Sequence, residues 1–305
     1  MFLSNSEKQK VRNKYIKFIK SQEVLSEPFR DKIGQLNKFY IPISKMIYKN
    51  YKTKKPLIIG LSGGQGSGKS TISNILKIVL KELFKLETVI FSIDDFYQTL
   101  HERQKKARRI TPLFSTRGVP GTHDINLLLN CIKKLKKKKF KATKIPRFDK
   151  SMDDRLPKKK WQNIKIRPSI IIFEGWCVGV TSQNKRDLLI PINKLEKKED
   201  SSRAWRIAVN QEIKKNYKKV FSLIDKLIFL KVPSFKKVFS WRLLQEKKLK
   251  ISSGGKKIMN ETEIKRFIMF YERLTKHMLK TMSSKAHVII KIDNKHKLKS
   301  IKFIK

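Results

Sequence analysis

The stretch PLIIGLSGGQGSGKSTIS, Pro56 to Ser73, decides how the rest of the chain is read. Leu57 to Ser62 is an apolar run bounded by Pro56 and Gly63, which predicts a buried strand. Beyond the glycines, Ile72, Ile75, Leu76, Val79, Leu80 and Leu83 recur at helical spacing and predict a single apolar helix face. Between the two lies Gly63-x4-Gly68-Lys69-Ser70, a P-loop pattern in the strand–turn–helix setting that the pattern requires. Glycines allow successive backbone N–H groups to turn inward around phosphates, and the helix N-terminus adds positive potential. The expected ATP-binding set is Gly63, Gly64, Gln65, Gly66, Ser67, Gly68, Lys69, Ser70 and Thr71. Lys69 is expected to reach the β- and γ-phosphates, and Ser70 to ligate Mg²⁺.

Further apolar runs follow. Thr88 to Ile93 ends in Asp94-Asp95, and Ser169 to Phe173 leads into Glu174. Lys226 to Val232 and His287 to Ile292 read as a fourth and a last strand. Helical patterns separate them. One begins near Asp124 and runs through Leu128, Ile132 and Leu135. Another follows Ser234 and carries Val238, Trp241 and Arg242. A third opens on an Asn260/Glu263 capping box and carries Ile264, Phe267, Tyr271, Leu274 and Met278. The alternation predicts an α/β protein of the P-loop NTPase fold: a mostly parallel β-sheet flanked by helices on both faces. Residues 1–52 read as an N-terminal helical extension with Val11, Tyr15, Phe18 and Ile19 on one face, and 53–305 as the P-loop domain. Residues 101–123 hold Pro112, Gly118, Pro120 and Gly121 without clear periodicity and are expected to be a loop. The Ser252-Ser253-Gly254-Gly255 run marks a break, making the segment around 236–256 lid-like.

The charge balance is extreme. Among 305 residues, 73 are basic and 25 acidic, for a formal net charge of +48. Such a balance ordinarily points to a polyanionic partner. Here 58 of the basic residues are lysines spread along the whole chain, with the densest run at Lys133 to Lys141 as the tail of an amphipathic helix. Dispersed lysine reads as solvated surface, and no specific nucleic-acid partner is expected. Two cysteines, Cys131 and Cys177, form neither a disulfide scaffold nor a metal-ligand spacing, which fits a reduced, cytoplasmic setting. The N-terminal residues are charged from Glu7 onward and contain no signal-peptide core. The longest nearly apolar run, Ser169 to Val180, contains Glu174 and is too short for a bilayer, so no membrane partner is expected. Oligomeric state is not readable here.

Acids at strand ends are placed where an open α/β sheet holds its ligands. Asp94 is expected near the γ-phosphate, where a carboxylate can accept or orient the proton of an attacking hydroxyl. Asp95 is available to hold the acceptor's hydroxyls, and Glu174 to hold Mg²⁺. Together these residues resemble the phosphoribulokinase/uridine kinase group of P-loop kinases, which phosphorylate small-molecule hydroxyls. Asp94-Asp95-Phe96-Tyr97 and Phe173-Glu174-Gly175 match two motifs of the group, which implies the acceptor-activating acid and the Mg²⁺ site respectively. Its Tyr-Asp-x5-Arg segment near the acceptor is met by Phe148-Asp149-x5-Arg155, with Phe in place of Tyr.

SIDDFY, RGVPGTHD (Arg117 to Asp124), KIPRFDKS (Lys144 to Ser151), FEGWCVG (Phe173 to Gly179) and WRLLQEKKL (Trp241 to Leu249) are similar to the D-glycerate 3-kinase branch of plants and cyanobacteria. That resemblance implies transfer of the ATP γ-phosphate to the 3-hydroxyl of D-glycerate, giving 3-phosphoglycerate. Glycerate is a small carboxylate with two hydroxyls, so it needs a cation fork and hydrogen-bond acceptors. Arg117, Arg147 and Arg155 supply the first, beside His123, Asp124 and Asp149. Tyr97 and Trp176 are available to line the pocket. Arg155 and Arg242 are the cations expected to act in catalysis, Arg242 by reaching over the transferring phosphoryl group. Two alternatives stay open: another acceptor of the same group (a nucleoside, pantothenate or a different sugar acid), and a basic P-loop ATPase stimulated by nucleic acid.

Overall fold

Ile58 and Ile59 are neighbours in the chain and bury into opposite sides of one sheet. The same division separates Phe173 from Ile172 and Phe229 from Ile228, so strands with continuous apolar sequence are covered on both faces. The computed structural model describes residues 5–23, 29, 31–52, 55–252 and 259–304, with the side chains of 245–252 left aside.

Six strands form the main sheet: β1 (Leu57–Gly63), β2 (Thr88–Ser92), β3 (Ile170–Gly175), β4 (Lys226–Lys231), β5 (Val288–Ile292) and β6 (Leu298–Phe303). Their order is β2–β3–β1–β4–β5–β6, parallel except for β6, which runs antiparallel to β5. The chain leaves β1 in one direction toward β2 and later returns to its other side at β4. The ends of β1 and β3 therefore flank a topological switch point, where such sheets bind their ligands.

Among the described residues, eight helices of eight or more residues accompany the sheet: α1 (Asn5–Gln22), α2 (Ile41–Asn50), α3 (Lys69–Phe84), α4 (Leu100–Arg109), α5 (Ile125–Lys136), α6 (Ala204–Glu212), α7 (Phe235–Ser252) and α8 (Glu261–Thr281). On one face Leu128 and Ile132 of α5, Val209 of α6, and Phe270 and Leu274 of α8 pack with Phe91, Phe173 and Phe229. On the other, Ile75, Leu76, Val79 and Leu80 of α3 meet Leu61, Ile172 and Ile290. The N-terminal helices lie outside α3: Val11, Tyr15 and Ile19 of α1 and Ile43 and Ile47 of α2 share that core. Lys14 of α1 donates to Glu82 of α3 at 2.6 Å.

Three sequence expectations are corrected. Residues 101–123 are not all loop, because α4 begins at Leu100 under a capping box between Thr99 and Glu102, and a 3₁₀ turn covers Pro112–Ser115. Periodicity missed α4 because its buried side chains are Arg103 and Ala107, a charge and a small residue rather than an apolar stripe. His287 to Ile292 is not the last strand, since β6 follows it as an edge strand with Lys299 and Lys302 exposed. The helix through Lys133 ends at Lys136, short of Lys141. The Gly254-Gly255 break lies outside the described residues. Among the described residues no helix is long and apolar enough to cross a membrane.

Two small antiparallel pairs complete the fold: Thr143–Ile145 with Gln162–Ile164, and Phe148–Asp149 with Asp154–Arg155. The second is a tight hairpin that lies against the end of β2.

Candidate active site

The phosphate loop is shaped by its backbone. Gly66 and Gly68 have φ values of +73° and +83°, a region that costs an L-residue about 1–2 kcal/mol. Lys69 is folded back so that Nζ donates to Gly64 O at 3.0 Å. Burial pulls its ammonium pKa down, opposed by the carboxylates of Glu174 and Asp94. Ser70 Oγ donates to Glu174 Oε1 at 2.9 Å. Glu174 stands on β3 in register with Leu61 of β1 and Ser92 of β2, so sheet pairing alone brings it beside the loop. Burial raises its carboxyl pKa, and Lys69 works against that rise.

This chemistry fits a nucleoside triphosphate with Mg²⁺. Ser67 Oγ and both amide atoms of Gln65 are buried in the loop without hydrogen-bond partners, which a polar ligand would satisfy. A hydroxyl and one carboxylate are the sparse protein ligand set that Mg²⁺ takes when phosphate oxygens and waters supply the rest.

Asp94 and Asp95 part company after β2. A 3₁₀ turn, Ile93–Phe96, follows the strand, with Ser92 as its cap. Asp95 Oδ2 accepts from Ser92 N at 2.9 Å and from Arg147 at 3.0 Å, so it closes the turn. Burial raises the Asp95 pKa, and Arg147 opposes the rise. Asp94 Oδ2 instead accepts from Lys150 Nζ at 2.9 Å. Burial alone would raise the Asp94 pKa, but Lys150, then His123 and Lys69, outweigh it and hold it at about 2. Asp94 is therefore a carboxylate throughout the neutral range.

The arginines are strongly engaged by the protein itself. Arg117 pairs with Asp153. Arg155 donates to Tyr97 O at 2.8 and 3.1 Å and to Asp124 Oδ2 at 3.3 Å. Asp124 also caps α5 through Leu127 N at 2.9 Å. Asp149 closes the hairpin turn by accepting from Ser151 N and Oγ and Met152 N. Arg242 lies over the Phe267 ring of α8, 5.7 Å from its centroid. Arg103, which sequence reading passed over, is fully buried and donates to Gln98 O, Ser115 O and Asp153 O. The Thr99-x-x-Glu102 capping box was the signal for the helix that carries it. Lys150 was also passed over, although it stands inside the quoted KIPRFDKS segment.

His123 has a defined proton. Tyr217 Oη accepts from Gly121 N at 3.0 Å, which leaves its own hydrogen for His123 Nδ1 at 2.5 Å. The imidazole is neutral, because burial lowers its pKa to about 3 although Asp94 favours the cation. The proton then sits on Nε2, a buried atom without a partner. The ring stacks on Tyr97 at 4.3 Å, and Phe148 meets Tyr97 edge-on at 5.1 Å. Trp176 donates to Gly118 O at 3.0 Å and packs against Tyr271.

Comparison with known proteins gives the same picture. The profile of the phosphoribulokinase/uridine kinase family matches residues 58–208. An uncharacterized kinase of Schizosaccharomyces pombe is 33% identical over 81% of this chain and 90% of its own length. The chloroplastic D-glycerate 3-kinase of Arabidopsis thaliana is 29% identical over 82% of this chain and 56% of its own. The structure of a D-glycerate 3-kinase from Cryptococcus neoformans shares the fold with a TM-score of 0.70, covering 89% of this chain and 99% of that one at 22% identity. With its phosphate loop, its strand-end acids and these relatives, the chain belongs to the phosphoribulokinase/uridine kinase family of P-loop kinases.

Proposed function

We propose that this kinase transfers the γ-phosphoryl group of ATP to the 3-hydroxyl of D-glycerate, with Mg²⁺ as cofactor and 3-phosphoglycerate as product. The observation that carries the reading is the surroundings of Asp94. An ionised carboxylate at the end of β2 stands between the phosphate loop and the hairpin that carries Lys150 and Arg155, where a small anionic acceptor would be held. Lys150, Arg117, Arg147 and Arg155 all lie on that side, and glycerate brings one carboxylate to them. The likeness to two D-glycerate 3-kinases supports the same acceptor.

In this reading the loop N–H groups and Lys69 bind the phosphates, and Ser70 and Glu174 hold the metal. A Mg²⁺ held there would supply positive charge against the phosphates. Asp94 accepts the hydroxyl proton, since Asp95 is occupied with Ser92 and Arg147. A carboxylate near pKa 2 is a weak base, so its contribution is chiefly to orient the hydroxyl until the oxygen–phosphorus bond is forming. His123 Nε2 offers a neutral donor to an acceptor oxygen, and Arg155 and Arg117 fix the loops that close the pocket. Arg242 stands on α7, whose Trp241 packs against Gly66 of the phosphate loop. The setting is cytoplasmic on this reading.

The test is ADP release with Mg²⁺-ATP against D-glycerate, L-glycerate, uridine, pantothenate and single-stranded DNA. Stimulation by D-glycerate with 3-phosphoglycerate as product is the expected result. Stimulation by pantothenate or uridine instead would move the acceptor within the family. Stimulation by DNA alone would return the +48 charge to the centre of the account.

A further inference from the structure

Four arginines near the site are anchored by the protein's own groups, yet among the described residues the cation paired with Asp94 is a lysine. Lys150 occupies the hairpin between Phe148–Asp149 and Asp154–Arg155, and its Nζ meets Asp94 Oδ2 at 2.9 Å. Its side chain is 63% exposed and that of Asp94 27%. Arg117 donates to the Lys150 carbonyl at 3.4 Å, a backbone tie on the residue that carries the ammonium. The charges that act on Lys150 are those of the transfer site: Asp94, Arg117, Glu174 and Lys69. An ammonium carries three donors, and among the described residues Lys150 gives one of them, to Asp94.

We propose that Lys150 is a catalytic residue of phosphoryl transfer, contacting the acceptor oxygen and the migrating phosphoryl group while it keeps Asp94 in place. This rests on the kinase reading above but not on glycerate as acceptor. In the step, the acceptor oxygen forms a bond to the γ-phosphorus. The bond from that phosphorus to the β,γ-bridging oxygen breaks, and ADP leaves with the electron pair. The hydroxyl proton passes to Asp94. Lys150 stabilises the negative charge on the equatorial oxygens and stays protonated, because the Asp94 charge raises its pKa. An arginine could not substitute freely, since a point charge on a flexible stem can stay on Asp94 and still turn toward phosphate.

With its lysine exposed and its carboxylate partly open to solvent, the pair contributes little to stability, so deletion separates catalysis from folding. Among the described residues, the groups that act on Asp94 are Lys150 from the hairpin, Lys69 from α3, His123 ahead of α5, Glu174 from β3, its neighbour Asp95, Tyr97, Cys177 and Tyr271 of α8. Of these, Lys150 is the largest influence holding the carboxyl down. The experiment compares the full chain with Lys150→Met and Lys150→Arg. Its first readout is a carboxyl ¹³C titration of Asp94, assigned with Asp94→Asn, which needs no acceptor. Its second is turnover on whichever acceptor of the panel is phosphorylated fastest.

In Lys150→Met the Asp94 titration moves to higher pH, and the acid limb of kcat/KM moves with it. Turnover falls roughly 10²-fold while KM for ATP stays within about threefold, and the melting temperature is unchanged. Lys150→Arg recovers the titration but only part of the turnover. A titration that does not move, or turnover in Lys150→Met within about threefold of the unsubstituted chain, overturns the proposal. If the Asp94 titration moves while D-glycerate is not the acceptor, the acceptor reading falls and the role of Lys150 stands.

Discussion

The two halves of the site are built by different means. On the phosphate side, Gly63 to Ser70, Asp94 and Glu174 are placed by parallel strand pairing and by a glycine turn. Glu174 comes beside Ser70 because β3 pairs in register with β1, and no side-chain network is needed to bring it there. On the acceptor side, the 3₁₀ turns bury Ile93, Phe96, Leu113 and Phe114, but the hairpin carries few apolar residues and is tied to them by long-range charge. Arg103 alone joins Gln98, Ser115 and Asp153, segments up to 50 positions away. The comparison teaches that phosphate binding is encoded locally, whereas acceptor geometry depends on buried cations whose partners lie far along the chain.

Removing the group where the halves meet has the largest effect. Asp94→Asn is expected to lower turnover by roughly 10³-fold, about 4 kcal/mol of transition-state stabilisation. KM for ATP changes little, because the phosphate side does not use Asp94 as a ligand. Steady-state kinetics on the preferred acceptor check this. A loss of ATP affinity of the same size would show that the two halves are not separable. The pH sign is definite: Asp94 is depressed to about 2, so this group imposes no loss of activity until the pH falls through that range.

Arg103→Met attacks the acceptor side without touching the chemistry. Three carbonyls lose a buried donor, and each unsatisfied acceptor costs on the order of 1–3 kcal/mol before relaxation. We expect a net loss of about 2–4 kcal/mol in urea unfolding, with acceptor KM raised and ATP binding kept at temperatures where the fold persists. Loss of less than about 0.5 kcal/mol would mean that the hairpin and its flanking turns hold together by another route.

The phosphate side was legible because its information is local. A strand, a glycine turn and an apolar helix face stand within 28 positions, Leu57 to Phe84, and β2 to β5 announce themselves as apolar runs. The acceptor side was legible only as motifs. Segments such as KIPRFDKS could be placed near the acceptor, but a sequence does not say which cation faces which acid. Reading favoured arginines for a bidentate fork, whereas the structure turns Arg117 to Asp153 and Arg155 to Tyr97 O and Asp124, and brings Lys150 to Asp94. The helix α4 escaped because its inward residue is Arg103, and hydrophobic periodicity is blind to a buried charge.

A milder change probes the phosphate side. Gly66 combines a φ of +73° with a would-be Cβ 2.9 Å from Trp241 Cβ of α7. Gly66→Ala should cost about 1–2 kcal/mol of strain and raise KM for ATP, leaving acceptor KM unchanged. The pattern is the mirror of Arg103→Met, and isothermal titration with an ATP analogue measures it directly. Equal rises in both KM values would mean that α7 couples the halves through Trp241.

The smallest expected effect concerns the one position where the family pattern is broken. Phe148 meets Tyr97 edge-on at 5.1 Å, and the guanidinium carbons of Arg117 and Arg103 lie 5.6 and 5.9 Å from its centroid. The ring therefore serves the acceptor side as an apolar spacer that also receives two cations, a role that needs no hydroxyl. Phe148→Tyr keeps the ring and both cations, so stability should stay within about 0.5 kcal/mol. A phenol at the rim can add one hydrogen bond to an acceptor oxygen, worth roughly 0.5–1.5 kcal/mol, which lowers acceptor KM by a few fold and leaves kcat nearly constant. A change confined to kcat would place this ring in the transfer step beside Asp94 and Lys150, and the division between a local phosphate side and a long-range acceptor side would have to be redrawn around Phe148.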